Sequence, residues 1–285
     1  MWKRRVVATV SGRAGELVVR DLRIDFQAQR SIGSKQNEGV ATIWNLKREN
    51  RGKLGEEFDT LKIEAGYESG EFGIIFKGQI RDVTIDQEGA DIRSFLQCGD
   101  GDKGINKGVV TKTFPAGTKP REVADYLVSQ MPDVDVGDLR GFDDLPAYKR
   151  PISLYGYASR ELDELGRQHG VYWSVQNGAA EAIKSDGYIN DTVVISSASG
   201  LIGAPKVTDK GVSLRSLLRP AIGPGRVVDV RSNFLDEASG RDKAASDQGG
   251  GLFRVASVSF AGSNRDKPFY CDIDGNRIQG GKVVK

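Results

Sequence analysis

Alternation with a period of two restricts this chain more than any other feature. Leu22, Ile24 and Phe26 alternate with Arg23 and Asp25, and Leu61, Ile63, Ala65 and Tyr67 alternate with Lys62 and Glu64. That spacing sends successive side chains to opposite faces of a half-buried strand. Further strands are expected near residues 6–10, 40–46, 73–85 and 92–98, so the first hundred residues read as β. Within 73–85, Phe76 and Ile80 share one parity while Val83 and Ile85 take the other. An extra residue is therefore expected to bulge the strand after Gly78 and bend the sheet toward closure. The charged stretch 47–57 is expected to form one short surface helix.

The middle of the chain changes period. Pro120 opens a pattern in which Val123, Leu127 and Met131 fall four apart, with Thr118 as the expected N-cap and Pro132 as the stop. A second helix, 159–169, buries Leu162 and Leu165 and ends at Gly170, a residue suited to a left-handed cap. A strand at 171–175 runs into Asn177-Gly178, the signal of a type I′ hairpin turn. These elements make an α+β insert. From Gly211 the chain returns to β: Pro220 and Gly223-Pro224-Gly225 form a turn, and strands follow at 226–232 and 252–260. Between them 236–251, rich in Ala, Ser, Gly, Asp and Lys, has no periodicity and reads as a mobile loop. The order strand 61–66, loop, strand 72–80 returns as 227–232, longer loop, 253–260, a weak internal repeat.

Composition limits function by exclusion. There are 36 glycines in 285 residues but only nine prolines and no G-X-Y period, so the glycines serve turns rather than a collagen helix. Hydrophobic residues at 38% allow a sizeable core, in one large or two to three smaller domains. The net charge of +2 gives no global case for a dedicated DNA- or membrane-binding protein. Locally, residues 1–53 hold twelve Lys or Arg against five Asp or Glu, and 133–144 hold five Asp and one Arg. No run approaches the roughly 18 apolar residues of a membrane span, and the N-terminus lacks a signal-peptide core, so a soluble chain made in the cytoplasm is expected. Cys98 and Cys271 cannot make a disulfide scaffold and are expected to be reduced and structural.

Catalytic chemistry finds little support. The single histidine, His169, falls on the face of Leu162 and Leu165 next to the capping glycine, where a packed or dipole-stabilised role is expected. No G-x-S-x-G elbow accompanies it, and neither Cys98 nor Cys271 sits in a nucleophile motif. One His and two distant Cys build no zinc site. The stretches 100–104 and 272–276 superficially resemble calcium loops but lack the ligand series and are expected to be Asp/Gly turns. Phosphate-binding glycine motifs are absent. Glu16, Glu38, Asp82 and Asp86 are candidates for paired glycosidase acids by residue type alone. No catalytic, cofactor-binding or metal residue is assigned, and no cofactor is expected.

Two stretches go beyond pattern. Residues 61–67 (LKIEAGY) followed by 75–80 (IFKGQI), preceded by 41–46 (ATIWNL), resemble the signature of phage tail and baseplate hub proteins. Residues 199–203 (SGLIG) with Pro205, then 216–220 (SLLRP), Pro224-Gly225, Phe253-Arg254-Val255 and Val258, look like that family's C-terminal half. The resemblance spans roughly residues 15–275; the length of 236–251 and the stretch after Ala261 depart from it. It implies a mainly β fold in which two related tube-type β-barrel domains flank a small α+β region: 1–110, an α+β middle at 111–205, and 206–285 completed by strands from other segments. It further implies a homotrimer presenting six similar barrels, which joins a hexameric tail tube to a threefold central spike or tip. The tape measure protein and other baseplate proteins are further expected partners. The assembly would take place in the host cytoplasm and end in the virion, with DNA passing the lumen without specific binding and no membrane anchor. A lumen of that kind should lack a dense basic lining, which would put the basic excess of 1–53 on the outer wall or toward a partner. Two other readings stay open: a tail-associated peptidoglycan hydrolase, which needs converging acids or a His-centred pair, and a barrel binding single-stranded nucleic acid. The second needs an aromatic, basic face, whereas Trp2, Trp44 and Trp173 lie in different segments.

Overall fold

The computed structural model describes residues 3–33, 35–208, 211–232, 250–266 and 268–284. The chain begins with β1 (Arg4–Gly12), β2 (Gly15–Val19), β3 (Ile24–Ser31) and β4 (Glu38–Trp44). A single helical turn α1 (Arg48–Arg51), β5 (Thr60–Tyr67), β6 (Phe72–Glu88) and β7 (Asp91–Gly99) follow. The middle holds α2 (Asp102–Lys107), β8 (Val109–Phe114), α3 (Pro120–Ser129), β9 (Asp135–Val136), β10 (Ile152–Tyr157), α4 (Ala158–His169), β11 (Val171–Gln176) and β12 (Ala179–Lys184). The last part is β again: β13 (Ile189–Ser196), β14 (Leu201–Val207), β15 (Gly211–Leu217), β16 (Arg226–Arg231), β17 (Gly250–Ser263), β18 (Phe269–Gln279) and β19 (Lys282–Val283). The fold is mainly β. Of the loop expected at 236–251, residues 236–249 lie outside the described residues, while Gly250 and Gly251 open β17 opposite Arg231 and Val230.

Fourteen strands form one sheet whose main path runs β14-β15-β18-β17-β3-β4-β7-β6-β5-β1-β2. It contains the same pattern twice. Along the sheet, β3-β4-β7-β6-β5 is matched by β14-β15-β18-β17-β16, and the five members come in the same order along the chain. Every pairing within both sets is antiparallel. The register breaks at the same point in both: between Ile80 and Asp82 opposite β7, and between Val255 and Ser257 opposite β18. The hairpins at 61–80 and 227–260 therefore occupy equivalent places. The two sets are welded by β17, whose first half pairs with β16 and whose second half, Ser257–Ser263, pairs antiparallel with β3.

Local expectations fare unevenly. The bulge falls at Arg81, after Gly78; Gly78 stays in the ladder opposite Leu61, where a Cβ would come within 2.7 Å of the Phe76 ring. It is a clearance residue. A second register break opposite β5 makes Ile75 another extra residue, which is why Ile75 and Phe76 are both buried. The helix expected over 47–57 is cut to one turn because Leu54 and Phe58 must reach the core. Helix α3 starts at Pro120 as expected, but its N-cap is Lys119, and Thr118 donates instead to the Pro115 carbonyl at 2.9 Å. Gly170 takes φ +64° at the end of α4, and Asn177 and Gly178, at φ +55° and +90°, turn β11 into β12.

Residues 272–276 are not a turn. They lie inside β18, with Cys271 and Ile273 buried on one face and Asp272 and Asp274 on the other, each bound across the ladder. Aspartate is normally depleted in strands, and these cross-strand partners make it tolerable here. Two cores result. One lies beneath the large sheet, from Val6 through Cys98 and again from Val193 through Ile273; the other belongs to the insert, from Val110 through Ala182. Strands β13 and β14, which precede residue 206 in part or whole, belong to the large sheet.

Candidate functional site

The face of the large sheet turned away from its core is assembled from rows of directly opposed residues. One row runs Arg215, Asp272, Ser259, Gln29, Glu38; the next runs Tyr270, Ala261, Gln27, Val40, Gln97, Asp82. Alternation puts these side chains out because Phe26, Ala28, Val258, Phe260, Cys271 and Ile273 go in. Around the β17–β3 weld the surface carries no cation of its own: Gln27, Gln29, Ser259, Ala261 and Val40 line a shallow groove together with Glu38, Tyr270 and Asp272.

Two of its guanidinium groups are neutralised in place. Arg215 donates to both oxygens of Asp272 at 2.7 and 3.0 Å, and Arg93 donates to both oxygens of Asp86 at 2.8 and 2.6 Å. Asp274 accepts from Ser213 at 2.5 Å and Ser257 at 3.3 Å. These bonds hold the Asp86 carboxyl below its ordinary range and raise both arginines. A surface built this way offers polyanions few unpaired cations. Of the basic residues in 1–53, Arg4 lies over the Phe269 ring, Arg5 over Phe72 and Arg23 over Trp44.

A second arrangement ties the insert to the sheet. Arg30 points inward in the same parity as Ile24, Phe26 and Ala28, and its Nε donates to Gln176 Oε1 at 3.0 Å. The Gln176 amide then donates to the Ser31 carbonyl and the Ser174 hydroxyl, both at 2.8 Å. Asn37 bonds the Val175 carbonyl, and the buried Asp100 carboxylate accepts the backbone N–H groups of Asn177 at 2.6 Å and Gly178 at 2.8 Å. Burial drives Asp100 up to about 6 and Arg30 down to about 10. Of the stretch 100–104, Gly101 takes φ +64° and leads into α2, so the aspartate at its head serves as an anchor for the β11–β12 turn.

The residues singled out for chemistry do not converge. Glu38 pairs with Arg81 at 3.0 Å, Asp86 is held by Arg93, Asp82 is an exposed neighbour on β6, and Glu16 sits on β2 at the far end of the strand order. Inverting or retaining glycosidases need an acid with a raised pKa; Asp86 is shifted the other way. His169 contacts the Tyr148 hydroxyl at 3.1 Å, and partial burial lowers its pKa, which fits packing rather than a dipole-held cation. Both cysteines are free and lie in the sheet core while His169 lies in the insert; burial pushes Cys98 to about 12 and Cys271 to about 11. No group of three potential metal ligands occurs among the described residues. Trp44 and Trp173 are both buried and donate to Asp25 and Asp163 at 2.7 Å, so neither presents a ring face to a base; Trp2 lies outside the described residues.

A protein-family model described as baseplate hub gp41 matches residues 5–275. The chain belongs to that family and is a structural component of the phage tail baseplate, located in the virion. No curated protein sequence matches it. Among solved structures it is similar to a 43 kDa tail protein of prophage MuSo2 from Shewanella oneidensis (TM-score 0.65, 10% identity, 98% of each chain covered). A tail protein from Neisseria meningitidis MC58 is also similar (TM-score 0.64, 10% identity, 97% of each chain covered). So is an Escherichia coli type VI secretion component described as structurally similar to the T4 tail proteins gp27 and gp5 (TM-score 0.61, 10% identity, 92% of this chain and 75% of that one). At such identities the likeness concerns the fold.

Proposed function

We propose that this chain is a non-enzymatic hub, three copies of which form a pseudo-hexameric ring joining the hexameric tail tube to a threefold central spike or tip. The observation that carries the proposal is the duplicated five-strand unit, welded edge to edge within one chain by β17 and β3. A chain with two equivalent units offers three copies as six positions, which reconciles a sixfold neighbour with a threefold one. In this reading residues 1–110 and 206–285 are the two tube-type barrel domains, β13 and β14 from the end of the 111–205 span complete the second, and the rest of 111–205 is the α+β domain. Assembly takes place in the host cytoplasm, with tube, spike, tape measure and other baseplate proteins as partners.

The polar face of the sheet lines the channel through which DNA is ejected. Its paired arginines and its Gln, Ser and Ala centre let phosphates pass, since binding them would require unpaired cations to displace the counterions condensed on the DNA. Light scattering tests the stoichiometry. With its tube and spike partners the purified chain should assemble as three copies, which contribute three times 30.9 kDa to the mass of the complex. A chain that stays a monomer even with those partners present contradicts the ring.

A further inference from the structure

The internal repeat specifies which edges meet between copies. Within the chain, the second half of β17 is flanked on both sides, by β18 and by β3. Its equivalent is the second half of β6, reached by aligning the bulges at Ala256 and Arg81. That segment is paired on one side only: β5 covers Phe72–Gln79, β7 takes 79–88, and among the described residues no strand lies against the other edge of 81–88. The equivalent of β3 is β14, which pairs with β15 alone and so leaves its outer edge open. The chain thus carries both halves of a joint it has already made once internally.

We infer that the free edge of β6 around Ile85 and Asp86 pairs antiparallel with Lys206 and Val207 at the end of β14 of a second copy of this chain, repeating the β17–β3 weld. The inference rests on the ring proposed above and names its contacts.

Two observations beyond topology support this occupant. In the internal weld Phe260 faces Ala28 and is 1% exposed; the matching position on β6 is Ile85, an isoleucine 47% exposed. An apolar side chain at a core position of the repeat, open to water in one unit and covered in the other, marks a missing strand. Carrying the internal register across, Ala261 opposite Gln27 becomes Asp86 opposite Lys206, because Gln27 and Lys206 hold the same place relative to β4 and β15. Opposite charges would then face each other across the joint, with Lys206 adding a second cation to the carboxylate that Arg93 holds. A hydrogen-bonded edge of this kind also answers the aggregation hazard that two open edges in one chain would otherwise present.

Disulfide trapping tests the register. In the double variant Asp86→Cys, Lys206→Cys, oxidation of the assembled full-length chain should give covalent dimers and trimers on a non-reducing gel, while each single variant stays at the monomer position. Native Cys98 and Cys271 are both buried and leave the background clean. The pair Gln27→Cys, Ala261→Cys serves as a positive control, since the same geometry there must give an intramolecular bond and no change in chain number. If light scattering finds a trimer whose thiols at 86 and 206 remain free under conditions that oxidise the control, the ring stands and this joint is wrong. If the double variant and the unmodified chain are both monomeric with tube and spike proteins present, the ring and the joint fall together. Ile85→Asp gives an independent reading: it should leave the chain folded but shift the assembly to monomer, and a trimer of undiminished stability would overturn the joint.

Discussion

The two five-strand units share strand order, direction and bulge, yet the same ladder position is core in one and surface in the other. Phe260 lies under β3, whereas Ile85 has water where a strand should be. A second difference lies at the far end of the equivalent strands. In the second unit β18 runs past Asn276 to Gln279; in the first, β7 stops at Gly99, because Asp100 leaves the ladder to hold the turn between β11 and β12. Duplication thus supplies a scaffold from which each copy departs: the first unit meets the insert, and its edge along 81–88 is left unpaired among the described residues.

The largest effect expected from this contrast is thermodynamic. Phe260→Ala should lower the unfolding free energy of the isolated chain by about 3–5 kcal/mol, the usual cost of truncating a buried aromatic. Ile85→Ala should cost less than about 1 kcal/mol in the same urea titration. Equal losses would mean that Ile85 is already covered within the monomer and would break the comparison.

Next in size is the anchor at Asp100. Its pKa in the folded chain is about 6, above the roughly 3.9 of an unfolded aspartate, so the folded state holds the proton more tightly. The associated stability is present below about pH 4 and is lost as pH rises through 6, on the order of 3 kcal/mol in total. Asp100→Asn should flatten the pH dependence of the urea midpoint across that window. An unchanged slope would show that another group titrates there and that the first unit's departure is not electrostatically costly. The smallest effect concerns the polar face. Asp272→Asn should leave the urea midpoint nearly unchanged, because the Arg215 pair is exposed. It should, however, lengthen retention on a polyanion column at low salt, since it frees a cation on the proposed channel wall; unchanged retention would argue that this face does not meet the column's polymer.

Much of this architecture was legible in the alternation. Leu61 to Tyr67 and Phe253 to Phe260 announce strands, and Asn177-Gly178 and Gly170 fall at the turn and cap their conformations require. The polar face was readable in part, since Gln27 and Gln29 alternate with Phe26 and Ala28. Arg30 was legible too, as the next inward position of that strand, but charge masks parity unless the inward set is followed to its end. Asp272 and Asp274 misled because their partners Arg215 and Ser213 are about sixty residues away, so a strand held by cross-ladder bonds looks locally like a turn. The weld of β17 to β3 joins residues more than two hundred positions apart, and no local pattern encodes it.

A reconstruction of the assembled hub by electron cryomicroscopy tests the central claim most directly. Three chains should form one closed ring of six equivalent five-strand units, joined alternately by β17–β3 within a chain and β6–β14 between chains, with Gln27, Gln29 and Ser259 on the channel wall. A ring of six chains, or a threefold ring whose channel is lined by Arg4, Arg5 and the other basic residues of 1–53, would contradict it.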